Sequence, residues 1–314
     1  MADRLCDLHC DTLYEIRKRK TSLLNHDGHL SIKKLSRYKS FIQVMAMWSD
    51  KRLSCDEAYD AFLDASALLD REVLAACEDG YKLEKVTKGS QIEENEKKGV
   101  SSLIFAVEGG SLLDTRISRL EVLRENGVRI LTLVWAGNCP IGGAHDTSEG
   151  LTEFGRQAVR ECFNIGIIPD VSHASDKMIY EVLDLAAGFG KPVIASHSNS
   201  RAVYSHTRNL TDEFYREIVR LGGVTGISFA PEHISQSDAD IGKLLAHICH
   251  YSEIDRHGVC LGCDFDVVTS LPEGVESCAD LVNLETAVSD CKDFRGSADD
   301  LFYNNARNFL VSNL

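Results

Sequence analysis

Short apolar runs that end in a metal-binding type of side chain constrain this chain more than any other feature. Six such side chains stand at or just after the ends of these runs: His9, Asp11, Glu108, His173, His197 and Asp264. A run of this kind is typical of a buried parallel strand, whose carboxyl end faces the ligand site in α/β folds. We therefore expect five strands to bring these six side chains to one place.

Eight apolar runs alternate with segments of helical spacing, at residues 5–9, 41–48, 103–108, 129–135, 167–172, 193–196, 224–229 and 259–265. A length of 314 residues is compatible with one α/β barrel, and no linker-like segment divides the chain. The sequence therefore predicts an α/β fold, a single (β/α)8 TIM barrel that forms one domain over residues 1–314. The stretch 53–100 is longer than one crossover needs, so we expect an extra helical insertion between strands two and three.

Residues that favour helix ends support this order of elements. Ser54 and Glu57 have the spacing of a capping box. Helices are also predicted to open at Thr152, Ser175, Thr211 and Ser237, and a last helix is predicted over residues 298–310.

The net charge and the short apolar runs exclude some classes of binding partner. A net charge of -14 repels phosphate backbones and anionic lipids, so we expect no nucleic-acid partner and no membrane partner. No apolar run approaches the roughly 18 to 20 residues that cross a bilayer, and the first residues do not form a basic-then-apolar leader. We expect a cytoplasmic protein.

Eleven cysteines are spread along the chain, several of them in predicted strands or helices. This distribution is typical of buried thiols in a reducing compartment, so we predict no structural disulfide. Cys260 and Cys263 form a CxxC pair on a predicted strand, where positions three apart face opposite sides of the sheet. We do not expect that pair to bind a metal.

The candidate ligands each have a simpler alternative. His9 and Asp11 are two positions apart, so a strand would turn both to one face, although the pair could also be a His that donates to a carboxylate. Glu108 precedes two glycines, where it could bridge two cations or cap the next helix. His173 and His197 end neighbouring strands, and neutral imidazole is the usual nitrogen ligand of zinc, although a buried core His is the commoner case. Taken as a set, they favour a metal site.

Nitrogen and oxygen ligands without convergent thiolates suit Zn²⁺, with Mn²⁺, Fe²⁺ and Co²⁺ as alternatives, and the ligand count indicates two ions. Asp264 could accept a proton from an activated water and return it to a leaving amine. Its alternatives are a sixth ligand or a residue that orients a histidine. Arg208, in the loop after the sixth run, could bind a substrate carboxylate, or could simply be an exposed surface residue. The chemistry that fits this set is hydrolysis.

Together these motifs resemble the renal dipeptidase family, also called membrane dipeptidase or peptidase family M19, of the amidohydrolase-like superfamily. The similarity runs nearly end to end and rests on the motifs DLHCDT, FAVEGGSLL, GLTEFGRQAVRECFNIGIIPDVSHAS, ASHSNSRAV, GCDFD and NNARNFL. Several motifs in the same order and spacing are far more specific than any one of them.

The resemblance implies a zinc-dependent dipeptidase with two Zn²⁺ ions bridged by Glu108. The implied ligands are His9, Asp11 and Glu108 for one ion, and Glu108, His173 and His197 for the other. Asp264 would be the proton shuttle, and Arg208 would bind the free carboxylate of a dipeptide. Family members often accept a D-residue at the C-terminal position and often pair, so the resemblance also implies such dipeptides as substrates and a homodimer.

The chain departs from the family pattern at Trp135. Animal members have a His there that contacts the substrate carbonyl, whereas related microbial sequences also have Trp. Trp135 is thus expected at the substrate, with Asn138 or His145 as the replacement hydrogen-bond donor. Two other functions stay open: a barrel metallohydrolase of another small amide or N-acyl amino acid, and a catalytically silent metal-binding homologue.

Overall fold

The fold is built on parallel strands that are connected by helices. The computed structural model describes residues 3–266, 268 and 270–314. The strands are β1 (Arg4–Cys10), β2 (Ser40–Trp48), β3 (Leu83–Lys85), β4 (Ser101–Glu108), β5 (Val128–Thr132), β6 (Ile168–Asp170), β7 (Thr225–Ile227) and β8 (Val259–Leu261). The helices are α1 (Thr12–Arg19), α2 (Ile32–Leu35), α3 (Cys55–Glu78), α4 (Gly89–Lys98), α5 (Ser118–Glu125), α6 (Glu153–Ile165), α7 (Asp176–Phe189), α8 (Asp212–Arg220), α9 (Pro231–Ile234), α10 (Ile241–Asp255), α11 (Leu281–Asp290) and α12 (Asn305–Asn313).

Main-chain pairing joins these strands into one curled parallel sheet. The strand order is β6-β5-β4-β2-β1-β8-β7, and β3 pairs with the first residues of β4. Two single parallel bridges, Asp170 with Ile194 and Ala195 with Thr225, lie between β6 and β7, the two ends of this order. The run 193–196, predicted as a strand, is therefore present as two bridges rather than as a continuous ladder.

The later strands are shorter than the apolar runs predict. β6 ends at Asp170 and β8 ends at Leu261, whereas the runs continue to residues 172 and 265. The chain leaves the ladder there because the next residues turn: His173 and Asp264 both have a left-handed backbone, with φ of 69° and 63°. The side chains that matter for the site thus lie on turns just beyond the strand ends.

Buried apolar side chains form two clusters on opposite faces of the sheet. One cluster includes Ile104 and Ala106 of β4, and the other includes Phe105 and Val107. Because the side-chain period of a strand is two, Glu108 continues the face of Ile104 and Ala106. The C-terminal segment adds Tyr303, Phe309 and Leu310 to that same cluster. This cluster is therefore the apolar core on the same face of the sheet as Glu108.

Helix starts follow the predicted caps with one exception. Ser54 Oγ accepts a hydrogen bond from Glu57 N, and the Glu57 carboxylate accepts one from Ser54 N, which completes the capping box of α3. Thr152, Ser175 and Thr211 cap α6, α7 and α8 as predicted. The prediction for Ser237 is wrong, because α10 begins at Ile241 with Asp240 as its cap.

Two helices and a short strand, α3, β3 and α4, lie between β2 and β4. In the described ranges, every helix is too short or too polar to span a bilayer. The eleven cysteines are free thiols, and both Cys260 and Cys263 are fully buried.

Candidate metal centre

The six side chains that the sequence singled out converge at the carboxyl ends of the strands. His9 lies in β1, Asp11 directly follows it, and Glu108 is the last residue of β4. His173 and Asp264 follow β6 and β8, and His197 follows the bridged segment at 193–196. Five of the six are buried, and His173 is only slightly exposed.

Asp11 reaches the cluster by a different route from the one expected. It is not a strand residue: its φ and ψ are -103° and 22°, and it precedes the first residue of α1. The pairing of β1 with β2 also shifts register between Asp7 and Cys10. The period of two therefore does not explain the pair, although Asp11 Oδ2 does lie 3.5 Å from His9 Nε2.

Glu108 lies at the centre of the cluster, and its two oxygens face different partners. Oε1 lies 2.9 Å from His173 Nε2 and 3.4 Å from His197 Nε2. Oε2 lies 3.7 Å from His9 Nε2. Glu108 is the last residue of its strand and does not cap a helix, so the capping alternative is wrong. One oxygen of this carboxylate thus faces the ring nitrogens of His173 and His197, and the other faces the ring nitrogen of His9.

The imidazoles are packed closely around this carboxylate. The Nε2 atoms of His173 and His197 are 2.9 Å apart, and the ring of His9 stacks on that of His197 with centroids 3.8 Å apart. Two overlapping groups have ligand atoms within 4.8 Å of one another: His9, Glu108 and His197, and His9, Asp11 and Asp264. His9 is common to both groups, whereas the family resemblance implies that it holds one ion.

Burial and neighbouring charges raise the pKa of two carboxyl groups in the site and lower the pKa of the third. Burial, together with the nearby Glu108, holds the pKa of Asp11 well above its usual range. Burial, opposed in part by His9, raises the pKa of Asp264 to about 6. Burial would also raise the pKa of Glu108, but the charge of His9 and the hydrogen bond from His173 outweigh it and hold that pKa well below its usual range.

Burial and neighbouring charges also shift the pKa values of the three histidines in the cluster. Burial would lower the pKa of His9, but Glu108 and Asp11 outweigh it and raise that pKa well above its usual value. Burial and the charge of His9 hold the pKa of His197 well below its usual value. Burial and the charge of Arg208 lower the pKa of His173. His173 and His197 are therefore neutral imidazoles at neutral pH, the form that can ligate a metal.

The residues present fit a metal centre. His9 Nε2 and Asp11 Oδ1 are buried and have no hydrogen-bond partner among the described residues. Leaving such a group unpaired costs about 1–3 kcal/mol, and the site also contains the carboxyl groups of Asp11, Glu108 and Asp264. Cations between these atoms would satisfy the orphaned groups and balance the charge. Imidazole nitrogens with carboxylate oxygens form the donor set that Zn²⁺ accepts.

Arg208 is a buried residue that faces the same site. It is 3% exposed, and its Nη1 and Nη2 donate to Ser198 Oγ and the carbonyl of His197, each at 2.8 Å. Its Nε has no hydrogen-bond partner within the described part of the chain. The alternative of a surface arginine is therefore wrong. Asp264 is held in a similar way, since Ser228 Oγ donates to its Oδ2 at 3.2 Å.

A cleft of about 240 Å³ opens beside the cluster. Its lining includes Asp11, Glu108, His173 and Asp264 of the cluster, together with Trp135, His145 and His233. Trp135 therefore lies beside the candidate ligands. Asn138 is exposed and lines an adjoining depression instead, so His145 is the better placed of the two candidate donors.

Sequence reasoning missed one aromatic residue beside this site. Trp48, the last residue of β2, packs edge-to-face with Trp135, and their ring centroids are 4.8 Å apart. Its place at the end of an apolar run was the available signal. His247 lies outside the cleft lining, is fully buried and accepts a hydrogen bond from Ser200 N at Nδ1. A partner so distant in sequence leaves no local pattern.

Comparison with known proteins identifies the family to which this chain belongs. The profile of the family described as membrane dipeptidase (peptidase family M19) matches residues 2–290. An uncharacterised dipeptidase of Schizosaccharomyces pombe is 32% identical over 187 residues, which are 56% of this chain and 44% of that protein. The chain thus matches less than half the length of this curated relative.

Solved structures show the same fold. A crystal structure of dipeptidase AC, a metallopeptidase of family M19, has a TM-score of 0.86 and 24% identity, over 99% of this chain and 98% of that one. A metallopeptidase from Rhodobacter sphaeroides, bound to a phosphinate mimic of the dipeptide L-Ala-D-Ala, has a TM-score of 0.85 and 24% identity, over 99% of each chain. The similarity in fold and the family profile together lead to one conclusion: this chain belongs to the membrane dipeptidase family, peptidase family M19.

Proposed function

We propose that this chain is a zinc-dependent dipeptidase, which hydrolyses the peptide bond of small dipeptides, including those with a C-terminal D-residue. The observation that carries the proposal is the position of Glu108, with one oxygen facing His173 and His197 and the other facing His9. The family profile supports the reaction, and the phosphinate complex of the Rhodobacter sphaeroides structure supports the D-residue.

The ligand assignment that we propose is the one that the family resemblance implies. His9, Asp11 and Glu108 would hold one Zn²⁺, and Glu108, His173 and His197 would hold the other. When bound, such a pair of ions polarises a carbonyl oxygen and lowers the pKa of water to near 7. The role of the protein is to fix the donors, keep the site buried and move the proton.

Asp264 is the residue that we propose moves the proton. Its Oδ1 lies 3.8 Å from His9 Nε2, beside the ligand cluster, and its Oδ2 is fixed by Ser228. With a pKa of about 6 it is largely ionised at neutral pH, so it can accept a proton from the attacking water. A group with this pKa can then return the proton to the leaving amine, which is the more basic of the two.

Arg208 and the cleft would select the substrate. The guanidinium of Arg208 has five N–H groups and uses two of them within the described residues, so donors remain for a substrate carboxylate. A volume of about 240 Å³ is below the roughly 300 to 1,000 Å³ of drug-sized pockets, which favours a substrate of two small residues. Trp135 would pack against a substrate side chain, and His145 would donate to the substrate carbonyl.

We infer the wider organisation from the same observations. The bridges at Ile194 and Ala195 would close the curled sheet into a (β/α)8 barrel of one domain, with the segment between β2 and β4 as its insertion. Eleven free cysteines favour the reducing cytoplasm. A homodimer rests on the family resemblance alone.

A substrate comparison tests this function against its main alternative. Zinc-loaded protein is incubated with L-Ala-L-Ala, L-Ala-D-Ala and N-acetylalanine, and release of free alanine is measured. A dipeptidase hydrolyses one or both dipeptides at a higher kcat/KM than it does N-acetylalanine. Hydrolysis of N-acetylalanine alone would contradict the proposal and support a metallohydrolase of N-acyl amino acids.

A further inference from the structure

Asp170 is a buried carboxylate beneath the metal centre that has no place among the proposed ligands. It is the last residue of β6 and is fully buried. Its Oδ1 accepts hydrogen bonds from two backbone N–H groups, those of Ser172 and Ser196, each at 2.9 Å. Its Oδ2 accepts from the hydroxyls of Thr132 at 2.5 Å and Ser196 at 2.6 Å. Each carboxyl oxygen of Asp170 therefore accepts two hydrogen bonds.

The hydroxyl of Ser196 links this carboxylate to a candidate metal ligand. Ser196 Oγ lies 2.6 Å from Asp170 Oδ2 and 2.7 Å from His197 Nδ1. A hydroxyl has one proton to donate, and a carboxylate can only accept. The Ser196 proton is therefore directed to Asp170, so Ser196 Oγ must accept the proton of His197 Nδ1. In that tautomer the Nε2 of His197 is unprotonated.

The geometry points to a positioning role, and we propose that Asp170, acting through Ser196, fixes His197 in the Nδ1–H tautomer and thereby keeps its Nε2 lone pair directed at the metal centre. Nε2 is the atom that lies 3.4 Å from Glu108 Oε1 and 2.9 Å from His173 Nε2. A metal can bind only an unprotonated nitrogen, and the hydrogen bond at the other ring nitrogen decides which one that is. The role of these hydrogen bonds in metal binding rests on the proposed metal site, whereas the tautomer of His197 follows from the hydrogen bonds alone.

The chain of hydrogen bonds has a direction, and Asp170→Asn should reverse it. The amide oxygen must stay where Oδ1 is, because two backbone N–H groups donate there. The amide NH₂ then takes the place of Oδ2 and donates to the hydroxyls of Thr132 and Ser196. Ser196 would in turn donate to His197 Nδ1, which moves the ring proton to Nε2. The variant thus places a proton where the metal should bind.

Ser172 offers a matched control in the same buried layer. Its Oγ accepts a hydrogen bond from the backbone N of His197 at 3.1 Å, and the imidazole of His197 is bonded to Ser196 instead. Both serines are fully buried. Ser172→Ala and Ser196→Ala therefore remove the same group from the same environment, and only the second breaks the contact with Nδ1.

The test reads the tautomer of His197 directly. Zinc-loaded protein labelled with ¹⁵N-histidine is stripped with a chelator, and long-range ¹H–¹⁵N spectra are recorded at pH 7, with His197→Gln to assign the signals. We expect the Nδ1–H form in the wild type and in Ser172→Ala, the Nε2–H form in Asp170→Asn, and loss of the fixed Nδ1–H form in Ser196→Ala. An Nε2–H wild type, or a Ser196→Ala spectrum that matches the wild type, would overturn the proposal even if Asp170→Asn did not fold.

Zinc affinity provides a second measurement that does not depend on turnover. In competition with a chromogenic chelator, Asp170→Asn and Ser196→Ala should bind one zinc ion about 10- to 100-fold more weakly, and Ser172→Ala should bind as the wild type does. Equal affinity in all four proteins would contradict the positioning role. An inactive wild type with the expected tautomers would instead count against the dipeptidase function and leave this inference intact.

Discussion

At the scale of single residues, the site contains groups held in unfavourable states. Asp264 has a left-handed backbone, with φ of 63°, and a pKa that burial raises to about 6. A non-glycine residue in that region costs on the order of 1–3 kcal/mol, and such residues concentrate at functional sites. Asp264 thus lowers the stability of the metal-free protein while it supplies the group that the proposed reaction needs.

The cost of burying the charge of Asp264 predicts that metal-free Asp264→Asn is more stable than the wild type. The pKa of Asp264 in the folded protein, about 6, is above its ordinary value of 3.8, so the stabilising contribution of Asp264 is present below pH 4 and lost as pH rises through 6. Asn has no charge to bury, so urea unfolding at pH 7.5 should show a gain of about 1–3 kcal/mol that shrinks towards pH 4.

Asp266 provides the control of opposite sign. Burial opposes its ionisation, but hydrogen bonds from His26 and Thr12 outweigh burial and lower its pKa. Its contribution to stability is therefore present above the unfolded pKa and lost as pH falls, so Asp266→Asn should be less stable than the wild type at pH 7.5. Identical unfolding curves for Asp264→Asn and the wild type at both pH values would contradict the assignment of a strained, buried charge to Asp264.

Arg208 should determine binding of the substrate carboxylate. Loss of a charge-assisted hydrogen bond costs about 1.5–3 kcal/mol, so Arg208→Ala should raise KM for dipeptides by about 10- to 100-fold. A dipeptide amide, which lacks that carboxylate, should show almost no change. Arg201, which pairs with Asp176 in the same region, is the matched control, and Arg201→Ala should leave KM unchanged. An equal effect of Arg208→Ala on both substrates would contradict the role.

At the scale of elements, the apolar runs predicted the order of strands and helices but not where the strands end. Local spacing indicates which residues are strand-like, whereas the end of a ladder depends on a distant partner. Asp11 illustrates this: spacing placed it on β1, but it starts the turn into α1. His173 is similar, because its left-handed φ of 69° leaves no signal in the sequence DVSHAS.

Two glycines explain how closely the last strands pack, which spacing could not predict. A Cβ at Gly226 would lie 1.9 Å from Ser196 O, and one at Gly262 would lie 1.8 Å from the same oxygen. Contacts this short are impossible, so only glycine fits at either position. The backbone of Ser196, and with it the neighbouring His197, therefore lies where β7 and the turn after β8 are bare of side chains.

Gly262→Ala should therefore destabilise the protein. Overpacking against backbone typically costs about 1–3 kcal/mol or more, which urea unfolding would detect. Gly188, in α7, is the control because a Cβ there meets nothing within 4 Å. Gly188→Ala should be neutral or more stable by about 0.5–1 kcal/mol, since alanine favours helix. A Gly262→Ala variant as stable as Gly188→Ala would contradict the close approach.

At the scale of the whole molecule, the charge of the site links stability to metal. Asp11, Glu108 and Asp264 are three buried carboxylates around a centre that also contains Arg208. Because a ligand that binds only the folded state stabilises it, zinc at 100 times its Kd should add about 2.7 kcal/mol per site. Melting temperature should rise on adding zinc and fall with a chelator, and Glu108→Gln should lose most of that response. A zinc-independent melting temperature would contradict the metal site.

The sequence predicted the composition of the site better than its geometry. All six candidate ligand and acid residues converge, because strand ends in a parallel sheet share one edge. Contacts between distant parts of the chain could not be predicted: His9 belongs to both groups of ligand atoms, and Trp48 packs on Trp135. These relations join residues far apart in the chain, so no local pattern records them.

The most direct test of the central claim is amino-acid release as a function of bound zinc, measured in parallel for the wild type and Asp264→Asn. L-Ala-L-Ala and L-Ala-D-Ala serve as substrates, and bound zinc is counted by mass spectrometry of the intact protein. We predict two zinc ions in each protein, dipeptide hydrolysis that appears as they bind to the wild type, and loss of that hydrolysis in the variant. A wild type that binds two zinc ions and hydrolyses neither dipeptide, or an Asp264→Asn variant that remains fully active, would contradict the account.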